Sequence, residues 1–289
     1  MHSFNGKVAA ITGAGSGLGR ALAIELARRD AALALCDIDA AGLQETVRLL
    51  PAGSQRCTTA AVDVADRDAV FAWADACRAE HGQVNLVINN AGVAMAVMAE
   101  TVRPADFAWL MGINFWGVVH GTQAFLPHLR ASGDGHVVNV SSVFGMLAMP
   151  TQAAYNAAKF AVRGYTEALR LELELQGAPV GVTCVLPGGI ATRIVASQRI
   201  APDIEAFTGM DAQAFRAEGQ RLIQRTSPEE AARQVLAGVQ RNARRVLVGR
   251  DARWADLLVR LLGPAYQVLV VRGARRARQR EQQRRTAQA

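Results

Sequence analysis

Paired cysteines are missing from this chain. Its four, Cys36, Cys57, Cys77 and Cys184, stand far apart and offer neither metal-ligand spacing nor a disulfide framework. A reducing, cytoplasmic setting fits that usage, and Cys36 and Cys184 lie in strand-like apolar runs where a buried thiol is the plain reading. No room for a signal peptide exists between Met1 and Lys7, ahead of the first strand. A clear membrane span is also absent, because the apolar stretch from Leu257 to Val271 is interrupted by Arg260, Gly263, Pro264 and Gln267. The body shows no internal repeat and no dividing linker. Finally, no basic stripe runs along the body. The net charge is +7, but seven Arg and one Glu between Arg272 and Arg285 supply +6 of it. Binding to a phosphate backbone needs a distributed positive surface, so no nucleic-acid partner is expected.

What is present is a globular balance, 51 % hydrophobic and 20 % charged, with apolar runs alternating with helical patterns. Strands are expected at Val8–Thr12, Ala32–Cys36, Cys57–Val62, Val84–Ile88, His136–Val140, Val180–Leu186 and Val246–Val248. Helices are expected over Ala41–Leu50, Arg67–Glu80, Phe107–Phe125, Ala154–Leu175 and Pro228–Arg241, the last capped by Ser227. Continuous apolar strands separated by helices imply a parallel sheet covered on both faces. The expected fold is α/β, a single doubly wound Rossmann-like domain with a mostly parallel, seven-stranded sheet over residues 1–271. Residues 272–289, rich in Arg, Gln and Ala, cannot bury enough surface to offset ordering entropy and are expected to be disordered or a frayed helix.

Glycines 13, 17 and 19 follow the first strand and enter a helix. Gly13 permits a tight turn, Gly17 lets backbone approach a pyrophosphate at the helix N-terminus, and Gly19 allows close helix–sheet packing. Three glycines alone are compatible with an ordinary turn; the strand–turn–helix setting favours dinucleotide binding. Asp37, ending the second strand, can accept from both hydroxyls of an adenosine ribose and would repel a 2′-phosphate. With Ser at 16 and Ile at 38, no neighbouring cation offsets it, so NAD is favoured over NADP; a plain strand-end carboxylate is the alternative. Asp63 and Val64 can address the adenine edge. Asn89 and Asn90 are either turn formers or cofactor contacts, and Gly92 lets backbone close on the ribose. Further on, Tyr155 and Lys159 share a helix face. A Lys ammonium beside a phenol favours phenolate and lowers its pKa from about 10.

Taken together, Thr12-Gly-Ala-Gly-Ser-Gly-Leu-Gly19, Asn89-Asn-Ala-Gly92, Asn114, Ser141-Ser142, Tyr155-Asn-Ala-Ala-Lys159 and Pro187-Gly188 closely resemble the classical short-chain dehydrogenase/reductase family over about Lys7 to Gly249. The resemblance implies hydride transfer between a carbinol carbon and nicotinamide, with Tyr155 as general acid or base. Lys159 would also hold the nicotinamide ribose, and Ser142 would bond the substrate oxygen. Ser141 is the alternative hydroxyl, although the separation from Tyr155 favours Ser142. Asn114 would anchor a water linking Lys159 to solvent. Ser16, Leu18, Ile38 and Ala91 would border the cofactor. Pro187, Gly188 and Ile190 would line its nicotinamide end, and Thr192 would bond the carboxamide. This chemistry calls for no metal.

The expected substrate is an apolar or cyclic alcohol or ketone. The loops at Val93–Val97 and Val143–Pro150 carry no Arg or Lys, and Val93, Ala94, Met95, the stretch Phe144–Met149 and Ile190 offer apolar walls. Residues 193–224 are expected to form a mobile cover, with Phe207, Met210 and Phe215 as possible substrate contacts; Arg193 could instead pair with an anion. By resemblance, a homotetramer or homodimer would form through Pro104–Leu129 and Ala154–Leu175. The apolar residues from Leu257 fit a core helix, a lid over a neighbouring subunit or, with the Arg tail, peripheral contact with an anionic membrane. An NADP(H)-dependent carbonyl reductase and a non-catalytic nucleotide-binding sensor are the rival functions.

Overall fold

The computed structural model describes the backbone of residues 1–288 and the side chains of residues 1–279. In chain order it forms β1 (Val8–Thr12), α1 (Gly17–Ala27), β2 (Ala32–Asp37), α2 (Ala40–Arg48), β3 (Cys57–Ala61), α3 (Arg67–His81), β4 (Leu86–Asn89) and β5 (Met95–Ala96). There follow α4 (Pro104–Met111), α5 (Gly117–Ala131), β6 (Gly135–Val140), α6 (Ala153–Leu175), β7 (Val180–Pro187) and β8 (Arg199–Ile200). The chain closes with α7 (Asp203–Thr208), α8 (Ala212–Ile223), α9 (Pro228–Gln240), β9 (Arg245–Val248), α10 (Arg250–Leu262) and α11 (Tyr266–Gln288).

Seven strands form one parallel sheet in the order β3-β2-β1-β4-β6-β7-β9. β1, β4 and β6 are buried at every position, as strands with helices on both faces must be. On one face α1 and α9 contribute Leu22, Leu26, Val235 and Leu236 to the core. On the other, α3, α5 and α6 bring Val70, Trp73, Phe125, Leu129 and Leu173, with Trp73 and Phe125 meeting edge to face at 5.0 Å. Helix starts follow the sequence closely: Asp39, Asp66, Asp211 and Ser227 each accept from a backbone amide three residues on.

The structure departs from the sequence expectations in two places. Where one helix over Phe107–Phe125 is expected, α4 begins at Pro104, passes through a π-helical turn at Gly112–Trp116, and continues as α5 beyond Pro127. Proline removes one backbone donor there, but Phe125 and Leu129 are both buried on either side of it, and their burial holds the helix. Secondly, β5 and β8 pair as a separate two-stranded parallel sheet, Met95 with Arg199 and Ala96 with Ile200. It ties the cover segment to the loop after β4.

The tail, for which disorder or a frayed helix is expected, continues as helix through Gln288, in keeping with the helix propensity of Ala, Arg and Gln. It is attached where it can pack. The Tyr266 hydroxyl accepts from the Ala148 amide at 2.8 Å, and the Arg278 guanidinium lies 5.1 Å from the Phe207 ring centroid. Among the described residues one helical stretch, Arg250–Gln279, is long and apolar enough to cross a membrane by length and composition. Gly263, at φ 51°, divides it into α10 and α11.

His136 makes stability depend on pH. It is buried in β6, its ring 2.8 Å from the Thr183 hydroxyl, and burial, with the N-terminal ammonium and Arg170 adding to it, pushes its pKa down to about 3. An unfolded chain would take up a proton near pH 6.5 that the folded chain refuses. Stability is therefore full above that value and declines as pH falls toward 3. Between pH 6.5 and 4.5, urea unfolding of the wild type should lose about 2–3 kcal/mol through this group. His136→Gln should flatten the slope by that amount.

Candidate active site

The order of the sheet reverses between β1 and β4, and a cleft of about 1690 Å³ opens there along the C-terminal strand ends. Gly13, Ser16, Gly17, Leu18, Asp37, Ile38, Asp63, Val64, Asn90, Ala91, Gly92, Ser142, Tyr155, Lys159, Pro187, Gly188, Ile190 and Thr192 all border it. Of the catalytic and cofactor residues expected from sequence, Gly19, Asn89 and Asn114 do not. A Cβ on Gly19 would fall 2.1 Å from the Gly13 carbonyl oxygen, so this glycine lies beneath the turn and lets α1 seat on the sheet.

At the nucleotide end, Gly13 and Gly17 take φ of 66° and 52°, values that only glycine adopts freely. The first turn of α1 carries no acidic residue, and Ser16 gives it no side-chain cap. That N-terminus can therefore receive an anionic group on its free amides. The Asp37 carboxylate is fixed by two amides, Gly15 at 2.8 Å and Asp39 at 3.0 Å. Arg20, which sequence reasoning passed over, also bonds Gly15, and its guanidinium is engaged by the Gly15 and Gly42 carbonyls and the Thr46 hydroxyl. Asn89 and Asn90 each make structural contacts. Asn89 donates to Asn139 and Thr122, while Asn90 donates to the Thr12 and Gly13 carbonyls at 3.0 and 3.2 Å. The Asn90 donors clamp the end of β4 to the β1 turn, and Asn90 also borders the cleft.

At the other end, the π-helical turn carries Asn114 inward. Its amide closes a pair of bonds with Val93, Oδ1 accepting from the backbone N–H and Nδ2 donating to the C=O, each at 2.8 Å. Asn114 thus positions the loop after β4, and its Oδ1 and the Lys159 ammonium both border Gly92. Both serines border the cleft, but Ser141 donates to the Lys159 carbonyl at 2.7 Å, whereas the Ser142 hydroxyl accepts from the Phe144 amide at 3.1 Å.

Tyr155 and Lys159 stand on the same face of α6, with the ammonium 5.7 Å from the phenol ring centroid and donating to the Val140 carbonyl at 3.0 Å. The lowered Tyr pKa expected from sequence does not hold in this arrangement. Burial pushes Tyr155 up to about 12, against a hydrogen bond with Ser142 that pulls it down, and burial pushes Lys159 down to about 8. Desolvation opposes the charged form of each group, and the ammonium, held at Val140, does not offset it.

Val93, Ala94, Phe144, Met149 and Ile190 form apolar wall, whereas Met95 and Met146 are buried behind it. From the cover segment Phe215, Leu222 and the exposed Arg193 reach the cleft; Phe207 and Met210 do not. Thr151, also in the wall, takes φ 67°, strained for a β-branched residue and held by the bond from the Val97 amide to its carbonyl. Sequence reasoning missed Asp251. Its Oδ2 accepts from the Gly189 amide at 2.7 Å, and a Cβ on Gly188 would collide with the carboxylate, so α10 fixes the loop after β7. An acidic residue in the first turn of a helix was the available signal.

Comparison with known proteins agrees with this arrangement. The family model described as short chain dehydrogenase matches residues 7–203. The "Putative oxidoreductase SadH" of Mycobacterium tuberculosis is 50 % identical over 273 residues, covering 94 % of this chain and 97 % of that protein. Estradiol 17-beta-dehydrogenase 11 of Macaca fascicularis is 34 % identical over 67 % of this chain and 65 % of its own length. A short chain dehydrogenase/reductase from Burkholderia phymatum, solved in complex with NAD, superposes with a TM-score of 0.82 at 33 % identity, covering 92 % of this chain and 97 % of that one. The chain is an oxidoreductase by this kinship, and it belongs to the short-chain dehydrogenase family.

Proposed function

We propose that the protein transfers hydride between NAD(H) and a secondary alcohol or ketone with an apolar or cyclic body. The observation that carries this reading is the single cleft with Asp37 at one end and Ser142, Tyr155 and Lys159 at the other. Nicotinamide, when bound, supplies the hydride donor or acceptor. The protein's own residues handle the proton. With its pKa near 12, Tyr155 keeps its phenolic proton at neutral pH and is ready to give it to a developing alkoxide. Ser142 is placed to bond the same oxygen. In the oxidative direction Tyr155 must first lose that proton. Asp37, with Arg20 engaged elsewhere, supports NAD over NADP. The apolar wall supports the substrate class, as does the name of the relative called for estradiol. The exposed Trp116 of the π-helical turn and Phe160 and Leu171 of α6 support self-association through Pro104–Leu129 and Ala154–Leu175.

Tyr155→Phe keeps the ring and removes the proton carrier, so turnover should fall by about 10²- to 10⁴-fold, with NAD binding measured by fluorescence titration little changed. Near-wild-type turnover would remove Tyr155 from its role. Because oxidation needs phenolate, kcat/KM for the alcohol should climb with pH from neutrality into the alkaline range; a flat profile would contradict the assignment. A screen with both cofactors should give the higher kcat/KM with NAD, and cyclic or aryl alcohols should exceed hydroxy acids and sugar phosphates. A preference for NADP or for carboxylates, the latter through Arg193, would overturn the corresponding half.

A further inference from the structure

α10 and α11 turn an apolar and a cationic surface outward side by side. On α10, Trp254, Leu257 and Leu261 recur at three- and four-residue spacing, and Trp254 and Leu261 remain 67 % and 74 % exposed. Beyond the break at Gly263, Val268, Leu269 and Val271 are exposed as well. Single exposed apolar side chains are ordinary, but a contiguous run of them on adjoining helices marks a surface that meets something. Arg272, Arg275, Arg276 and Arg278 follow directly, with no carboxylate among them. The carboxylates of α10 are already engaged, Asp251 by Gly189 and Asp256 by Arg260 at 2.7 Å.

We propose that this helix pair docks the protein peripherally on an anionic phospholipid bilayer, with the mouth of the cleft at the lipid boundary. Three features choose that occupant. Charge complementarity is the first: four arginines beside apolar side chains match anionic headgroups over acyl chains. The same charges oppose a second copy, since a two-fold interface would set the patch against itself and bring like charges together. Secondly, Trp254 is an interfacial side chain by nature, with an apolar ring and a polar N–H. Thirdly, Trp254 and Arg250 also border the cleft, while Tyr266 and Arg278 fix α11 to the catalytic loop at Ala148 and to the cover segment at Phe207. The docking face and the cleft mouth are therefore one continuous edge of the molecule. This docking does not depend on the alcohol–ketone reading of the site.

The test is co-sedimentation of the full chain with vesicles of phosphatidylcholine alone or mixed with phosphatidylglycerol, alongside sedimentation velocity without lipid. The full chain should enter the pellet with the mixed vesicles and leave it at high salt. Leu261→Glu and, separately, Arg275→Gln with Arg276→Gln should each weaken partitioning by about tenfold or more. None of these residues borders the cleft, so turnover of a water-soluble alcohol should be unchanged. Absence from the lipid fraction with both vesicle types would overturn the proposal. So would equal binding to both types, or retention after an alkaline wash, which an integral helix would give. An oligomer that Leu261→Glu disperses, without vesicle binding, would assign the face to a second copy instead.

Discussion

Asn89 and Asn139 face each other as register partners across β4 and β6, in the buried middle of the sheet, and the placement of the helices that line the cleft depends on that contact. The Asn89 amide donates to Asn139 at 2.8 Å and to Thr122 of α5 at 3.1 Å; the Asn139 amide donates to Thr166 of α6 at 3.1 Å. Polar groups so deep in a sheet cost about 1–3 kcal/mol each if left unpaired, so the helices that pair with the two amide NH2 groups are held in position along the strands, while Asn89 Oδ1 has no hydrogen-bond partner. α5 is drawn in until Gly121 leaves no room for a Cβ, which would fall 2.1 Å from Asn89 Oδ1. α5 continues the helix that holds Asn114, and α6 carries Tyr155 and Lys159. The register of two amides deep in the sheet thus sets the geometry at its rim.

A second constraint operates at the β1–α1 turn. Gly13, Gly19 and Asn90 come within contact of one another, closing the strand end of β4 onto the start of α1. One end of the cleft is made by backbone approaching backbone, where a methyl group does not fit. The other is made by side chains on long helices. Such a division suits a site that must receive a charged group at one end and a reacting carbon at the other.

Much of this was legible in the sequence because it rests on local rules. Continuous apolar strands ending in glycine, Asp or Asn place the sheet edge, and four-residue spacing puts Tyr155 and Lys159 on one face. What was not legible depends on contacts between distant segments. The β5–β8 pair is two residues on each side, too short for any period to show. Asp251 belongs to the site only because β9 returns beside β7 and delivers α10 to the Gly188–Gly189 loop. Beyond Val271 the helix through Gln288 carries no large apolar residue; it extends a segment that Tyr266 and Arg278 attach. Asn114 was found, but its bonds to Val93 follow from the π-helical turn, which the sequence does not announce.

The phenol and the ammonium on α6 present the least local property of all. A pairing argument from spacing alone lowers the Tyr pKa, because it counts the neighbouring charge and omits burial. In the folded protein both groups are desolvated, and each resists its charged form, Tyr155 toward about 12 and Lys159 toward about 8. The opposition is not symmetrical in its consequences. A phenolate and an ammonium formed together attract each other through a medium of low dielectric, so the pair is less costly than either ion alone. Lys159 keeps one bond to Val140 and Tyr155 one to Ser142, which leaves each charge a partner on its own side. The site therefore stands with the proton on Tyr155. Loss of that proton becomes favourable only where another charge offsets the desolvation of the phenolate.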